Sequence, residues 1–179
     1  MRSVSVRKLV ISALMLALCL VLPLLTGQLQ QIGSALLPMH LPVLLCGFVC
    51  GWPWGLAVGF IAPLLRSVTF GMPKLFPTAV AMAFELAAYG AFSGLFYRLL
   101  PRRNGYIWVS LVLAMLLGRA VWGLVMTVLS LAAAGVSFGP SVFLAGAFIN
   151  AVPGIVIQLV LVPLIVIALK KARLIQDGR

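Results

Sequence analysis

Residues 107–133 read IWVSLVLAMLLGRAVWGLVMTVLSLAA, and the only ionisable side chain among them is Arg119. A helix crosses a bilayer core with ~20 apolar residues, so this run is long enough by itself. Working outward, breaks at Pro, Gly or charge delimit five more apolar runs, at about 9–26, 38–53, 55–71, 77–99 and 141–169. The second and third are short and meet at the turn Gly51-Trp52-Pro53-Trp54-Gly55. No run alternates apolar and polar residues as a membrane barrel strand does. The pattern predicts an all-α integral membrane protein, a six-helix transmembrane bundle forming one domain over residues 1–179.

The 179 residues are 64% hydrophobic and 8% charged, against ~25% charged in soluble domains. So little charge cannot cover a water-exposed surface, which excludes a soluble enzyme. A mean hydropathy of +1.23 excludes disorder, which needs low hydrophobicity. Thirteen Lys and Arg against two acids give a net charge of +11, a balance that suggests nucleic acid where the basic residues form a surface patch. Here they sit in the gaps between apolar runs. Arg2, Arg7 and Lys8 precede the first run, Arg98, Arg102 and Arg103 share one gap, and Lys170, Lys171, Arg173 and Arg179 follow the last. With six spans these gaps lie on one side, and Lys74 is alone on the other. By the positive-inside rule both termini are cytoplasmic, and no nucleic-acid partner is expected. The first run follows basic residues as a signal peptide does. It is long for one, however, and no A-x-A pattern follows before Gln28, so it is expected to remain as a span.

Reactive groups are few. His40 is the single histidine, Glu85 the single acid within an apolar run, and Asp177 lies in the tail. A zinc site needs three or four Cys, His or carboxylate ligands, and no such spacing occurs. Cys19, Cys46 and Cys50 lie within apolar runs, where they are expected as small buried residues. There is no G-x-x-x-x-G-K-[ST] loop for ATP and no cluster of acids for a phosphotransferase metal. No G-x-S-x-G elbow supports a Ser–His dyad at His40. Neither catalysis nor a cofactor is expected.

Binding is better supported. Ionisable residues inside a span are costly and are paired or face a cavity. Arg66 falls toward the outer end of the third run, and Arg119 near the middle of the fifth. Glu85 lies eight residues beyond Pro77, about 12 Å along a helix. Asn150 and Gln158 stand two turns apart on one face of the sixth run. Tyr89 follows Glu85 by one turn and Trp122 follows Arg119 by three residues, each placing a ring beside a polar group. The common depth predicts an outward-opening pocket of Arg66, Glu85, Tyr89, Arg119, Trp122 and Asn150. Glu85 can pair with Arg66 or with Arg119, and a pair that only holds helices together fits the same pattern. Two Arg against one Glu leave a positive charge over, which favours an anionic or zwitterionic ligand. The polar, uncharged stretch from Gln28 to Ser34 is a candidate lid.

Small residues recur at four-residue spacing: Gly47, Gly51, Gly55 and Gly59, then Gly90 and Gly94. Such spacing lets helix backbones approach closely. Ala13 and Ala17 give the first run a similar smooth stripe, suited to internal packing or to docking another membrane protein.

Six spans, cytoplasmic termini and Ala13-x-x-x-Ala17 in the first helix resemble the S components of energy-coupling factor (ECF) transporters. The stretch Pro38-Met39-His40-Leu41-Pro42-Val43 followed by Gly47 and Gly51 is also similar to that family. So is Gly71-Met72-Pro73 through Pro77, Met82, Glu85, Tyr89, Gly90 and Gly94-Leu95. The likeness covers nearly the whole chain. It implies a bacterial plasma-membrane subunit that captures a vitamin or related micronutrient on the outer side. It also implies docking, through the Ala13–Ala17 face, onto a transmembrane coupling subunit with two ATPases, which accounts for the missing ATP loop. A ligand site in the outer half, capped by the first long outer loop, agrees with Arg66, Glu85, Arg119 and Asn150 lying beneath residues 28–34. The ligand stays open among pantothenate, folate, riboflavin, a pyridoxine-like compound and a queuosine precursor.

Two other classes fit less well. A membrane enzyme or lipid-binding scaffold would use Glu85 and Arg119 structurally. A stand-alone secondary transporter would need an inverted repeat, which is not visible, and would have one intramembrane acid to carry a coupling proton.

Overall fold

The computed structural model describes residues 6–25, 36–101, 103–132 and 138–172, and all regular structure among them is helical. The major helices are α1 (Val6–Leu25), α2 (His40–Cys50), α3 (Trp52–Phe70), α4 (Val80–Leu99) and α5 (Gly105–Ala132). A short α6 (Pro140–Leu144) leads through a π-helical turn, Ala145–Ile149, to α7 (Val152–Lys171). Another π turn, Leu75–Ala79, precedes α4. The candidate lid at residues 28–34 lies outside the described residues.

Five helical segments are long and apolar enough to cross a membrane: α1, α3, α4 with its preceding turn, α5 and α7. The shorter α2 has 11 residues, about 16 Å at ~1.5 Å per residue, or roughly half a bilayer core. Burial is inverted relative to a water-soluble protein. His40, Arg66, Glu85, Ser93, Ser110, Arg119 and Gln158 are buried, while Val68, Leu116, Leu124, Leu131, Val156 and Leu164 are exposed. An apolar exterior around helices that satisfy their own backbone bonds is what hydrocarbon selects, and ionisable residues are kept to the interior for the same reason. The chain is a helical integral membrane protein with several spans.

Helix α4 is the hub, with α2, α3 and α5 all packed against it. The glycine spacing explains how three helices converge there. A Cβ on Gly55 would strike the Gly90 carbonyl, and one on Gly47 would strike the Ser93 hydroxyl and the same carbonyl. A Cβ on Gly59 would meet the Leu86 carbonyl. The backbones touch, so no side chain fits between them. Ser93 completes the seam by donating to the Gly90 and Leu44 carbonyls at 3.2 and 3.4 Å.

Two boundaries differ from the sequence expectation. The break between the second and third runs is Gly51 alone, at φ 98°, a left-handed value that favours glycine. Trp52, Pro53 and Trp54 form the first turn of α3 and not a loop, since proline lacks only an N–H that a first turn leaves unpaired anyway. The run at 141–169 is likewise not one helix. It divides at Asn150 and Ala151, just before Pro153 in the first turn of α7, because proline cannot continue the hydrogen-bond ladder from the residues before it. Asn150 closes the π turn through its N–H to the Ala145 carbonyl at 2.9 Å. It therefore does not share a helix face with Gln158.

Candidate functional site

Helices α4 and α5 are antiparallel neighbours. Glu85 lies as far from the Leu99 end of α4 as Arg119 lies from the Gly105 end of α5, so the two side chains reach each other at one level. Arg119 Nη1 donates to Glu85 Oε1 at 2.8 Å, with both side chains almost wholly buried. One turn from Glu85, Tyr89 lies against Gly118, where an added Cβ would come within 3.0 Å of the phenol ring. Gly118 thus leaves room for the ring between α4 and α5.

The shortness of α2 matters here. A full-length span would begin at the membrane surface, whereas α2 begins at His40, inside the bundle. His40 is 1% exposed. Its Nε2 approaches Glu85 Oε1 to 3.5 Å without hydrogen-bond geometry, and its ring meets the Tyr89 ring edge-on, centroids 5.1 Å apart. His40, Glu85, Tyr89 and Arg119 therefore form one cluster drawn from three helices. The sequence offered a signal for His40, a lone histidine near the head of an apolar run. It entered as a candidate dyad partner and as part of the family likeness, but not among the expected pocket residues.

The cluster is not internally complete. Among the described residues, His40 Nδ1 and Nε2, Tyr89 Oη, and Arg119 Nε and Nη2 are buried without a hydrogen-bond partner. Buried polar atoms are paired in all but a few cases, because an unmade bond costs the full desolvation of the group. Several such atoms around one ion pair leave hydrogen-bonding capacity that the described side chains do not use.

Three expected members sit elsewhere or at the margin. Arg66 does not pair with Glu85. Its Nη1 donates to the Leu20 carbonyl of α1 at 2.6 Å, and its guanidinium lies 5.1 Å above the Phe70 ring. Leu20 lies one turn before Pro23 in α1, and the arginine ties α3 to α1 there. Asn150 is exposed in the turn ahead of α7, outside the cluster. Trp122, half-buried one turn beyond Arg119, packs with Phe138 and Phe143 at centroid distances of 5.4 and 6.0 Å. Gly123 and Gly146 leave space for the Phe143 and Trp122 rings.

Gln158 is buried with neither amide atom partnered. Its neighbour Leu159 accepts from the Trp108 indole at 3.1 Å, near the start of α5 and far from Arg119. The three cysteines are buried free thiols. Among the described residues no group of three or more His, Cys, Asp or Glu is arranged to hold a metal ion.

The family model for the ECF transporter substrate-specific component matches residues 7–166. The chain belongs to that family. The match takes in every described member of the cluster. Comparison with curated proteins and with solved structures gave no match. A substrate-specific component is a transporter subunit, which agrees with a membrane bundle holding an incomplete polar site.

Proposed function

We propose that this S component captures a small micronutrient at the cluster of His40, Glu85, Tyr89 and Arg119, with Trp122 at its rim. The observation that carries this is the set of buried, unpartnered donors around the Glu85–Arg119 pair. A pair that served only to hold α4 and α5 together would gain nothing from leaving Arg119 Nε and Nη2 unmet. That favours capture over a purely structural pair. Arg66 and Asn150, expected in the pocket from the sequence, are assigned no ligand contact here, since Arg66 is committed to Leu20.

In this proposal α2 counts as the sixth span, and both termini are cytoplasmic in the plasma membrane. The basic residues flanking α1, α4, α5 and α7 support that orientation. On that orientation the cluster lies toward the outer half, a reading supported by the position of Glu85 nearer the Leu75 end than the Leu99 end of its span. Ala13 and Ala17 are exposed on α1, and their smooth face is proposed to dock onto the coupling subunit, which two ATPases energise. Small residues suit such a contact because helix–helix association in lipid relies on close packing.

The test is native mass spectrometry of the full chain purified from its host, looking for a bound small molecule. Expected is a wild-type complex that disappears on Glu85→Ala. Wild-type protein that binds nothing, alone or beside its coupling subunit, would sink the capture role.

A further inference from the structure

The sequence alone favoured an anionic or zwitterionic ligand, because two arginines outnumbered one glutamate. The structure changes that count. Arg66 is committed to the Leu20 carbonyl and the Phe70 ring, and Lys74 is exposed. Within the cluster Arg119 faces Glu85, the only acid among the described residues. With His40 neutral the cluster sums to zero. An added carboxylate or phosphate would stand beside Glu85 in a buried site with no second fixed cation to compensate it, a strongly unfavourable arrangement at low dielectric.

The unused atoms specify more than charge. Glu85 engages Nη1 of Arg119, so Nε and Nη2 are left, and both are unpartnered. Their N–H bonds run side by side along one edge of the planar guanidinium, a fork that matches two adjacent acceptors. His40 and Tyr89 add a donor–acceptor pair of ring nitrogens and a hydroxyl beside it.

Resting on the capture role above, we propose that the ligand is net neutral and presents two adjacent hydrogen-bond acceptors to the Nε/Nη2 edge of Arg119. A ring nitrogen beside a carbonyl is such an edge, as is the carboxylate of a zwitterion whose ammonium faces Glu85. Glu85 then acts as the residue that sets selectivity, by cancelling the charge that would otherwise draw anions.

The probe is the fraction of yeast extract below 1 kDa, separated at pH 7 into an anion-exchange-retained pool and a pool that passes both anion and cation exchangers. Thermal stability of the detergent-purified full chain is measured with each. The unretained pool is expected to raise Tm by roughly 4 °C or more, as ligand binding to the native state requires, and the anionic pool to leave it unchanged. Glu85→Gln, which leaves Arg119 uncompensated, should gain a response to the anionic pool. Arg119→Lys, which keeps the charge but not the fork, should lose at least two-thirds of the wild-type shift. A wild-type response confined to the anionic pool overturns the neutral-ligand proposal while leaving capture intact. A full response in Arg119→Lys overturns the fork. If the lysine variant does not fold, the wild-type and Glu85→Gln profiles still decide the charge class. No response to these pools or to the cation-exchange-retained one, in protein that native mass spectrometry shows to be ligand-free, removes the capture role and the ligand proposal with it. A response confined to the cationic pool overturns the neutral-ligand proposal alone.

Discussion

The two faces of α4 are built on opposite plans. Toward α2 and α3 the helix offers Gly90, Gly94 and Ser93, and the contact is backbone against backbone with Ser93 bonded on both sides. Toward α5 it offers Glu85 and Tyr89, long side chains held by one ion pair and one glycine, with several polar atoms unmet. The first face has no slack for a methyl group. The second carries unmade bonds that another molecule can complete. A rigid seam along one side of a helix is what allows an incomplete polar site to persist on the other, because the scaffold cannot relax to fill it.

Substitutions that interchange these plans are the sharpest way to break the comparison. The largest effect is expected from Gly90→Val. Both Gly47 and Gly55 abut Gly90, so helix separation is the only relief, and a loss of 3 kcal/mol or more is expected, roughly the upper range for overpacking. Little or no monodisperse protein should be recovered by size-exclusion chromatography. A normal yield with wild-type Tm would show that the seam is not close-packed.

Next comes Glu85→Ala, which strands a buried guanidinium; removal of one partner costs on the order of 3 kcal/mol in a dry site and less where water reaches it. A Tm drop together with loss of the co-purifying ligand is expected. Retained ligand would move the site away from α5. Arg66→Met is the control arginine. It gives up one charged hydrogen bond and a cation–π contact, about 2 kcal/mol together, with ligand response preserved. Loss of ligand binding at wild-type stability would return Arg66 to the site. Ala13→Trp, on an exposed face, should change Tm by less than about 0.5 kcal/mol equivalent and spare binding, while uptake in cells with the full transporter stops. Normal uptake by that variant would exclude the Ala13 face from docking.

Much of the candidate cluster was legible in the sequence. Glu85 and Arg119 announced themselves as charges in apolar runs, and their sequence neighbours Tyr89 and Trp122 follow from helical spacing. Arg66 met the same criterion and led elsewhere, because depth along a helix says nothing about azimuth; its partner is the backbone carbonyl of Leu20, which carries no side-chain signature. His40 was left out of the expected pocket because an apolar run that starts at Pro38 does not show how deep its first residues lie in the bundle. Asn150 was misplaced through Pro153, whose effect on the preceding turn depends on whether the chain has another way to satisfy its backbone.

The sequence by itself determined the class of solvent, the helical character, the presence of membrane-length segments and the glycine seam. These follow from composition and from spacing within single helices, where geometry is fixed at 3.6 residues per turn. Which arginine meets Glu85, and where α2 begins in depth, only the tertiary structure decided. Both depend on the rotation and offset of helices against one another. In a bundle whose surfaces are uniformly apolar, these are set by where glycines let backbones touch and not by any pattern along one segment.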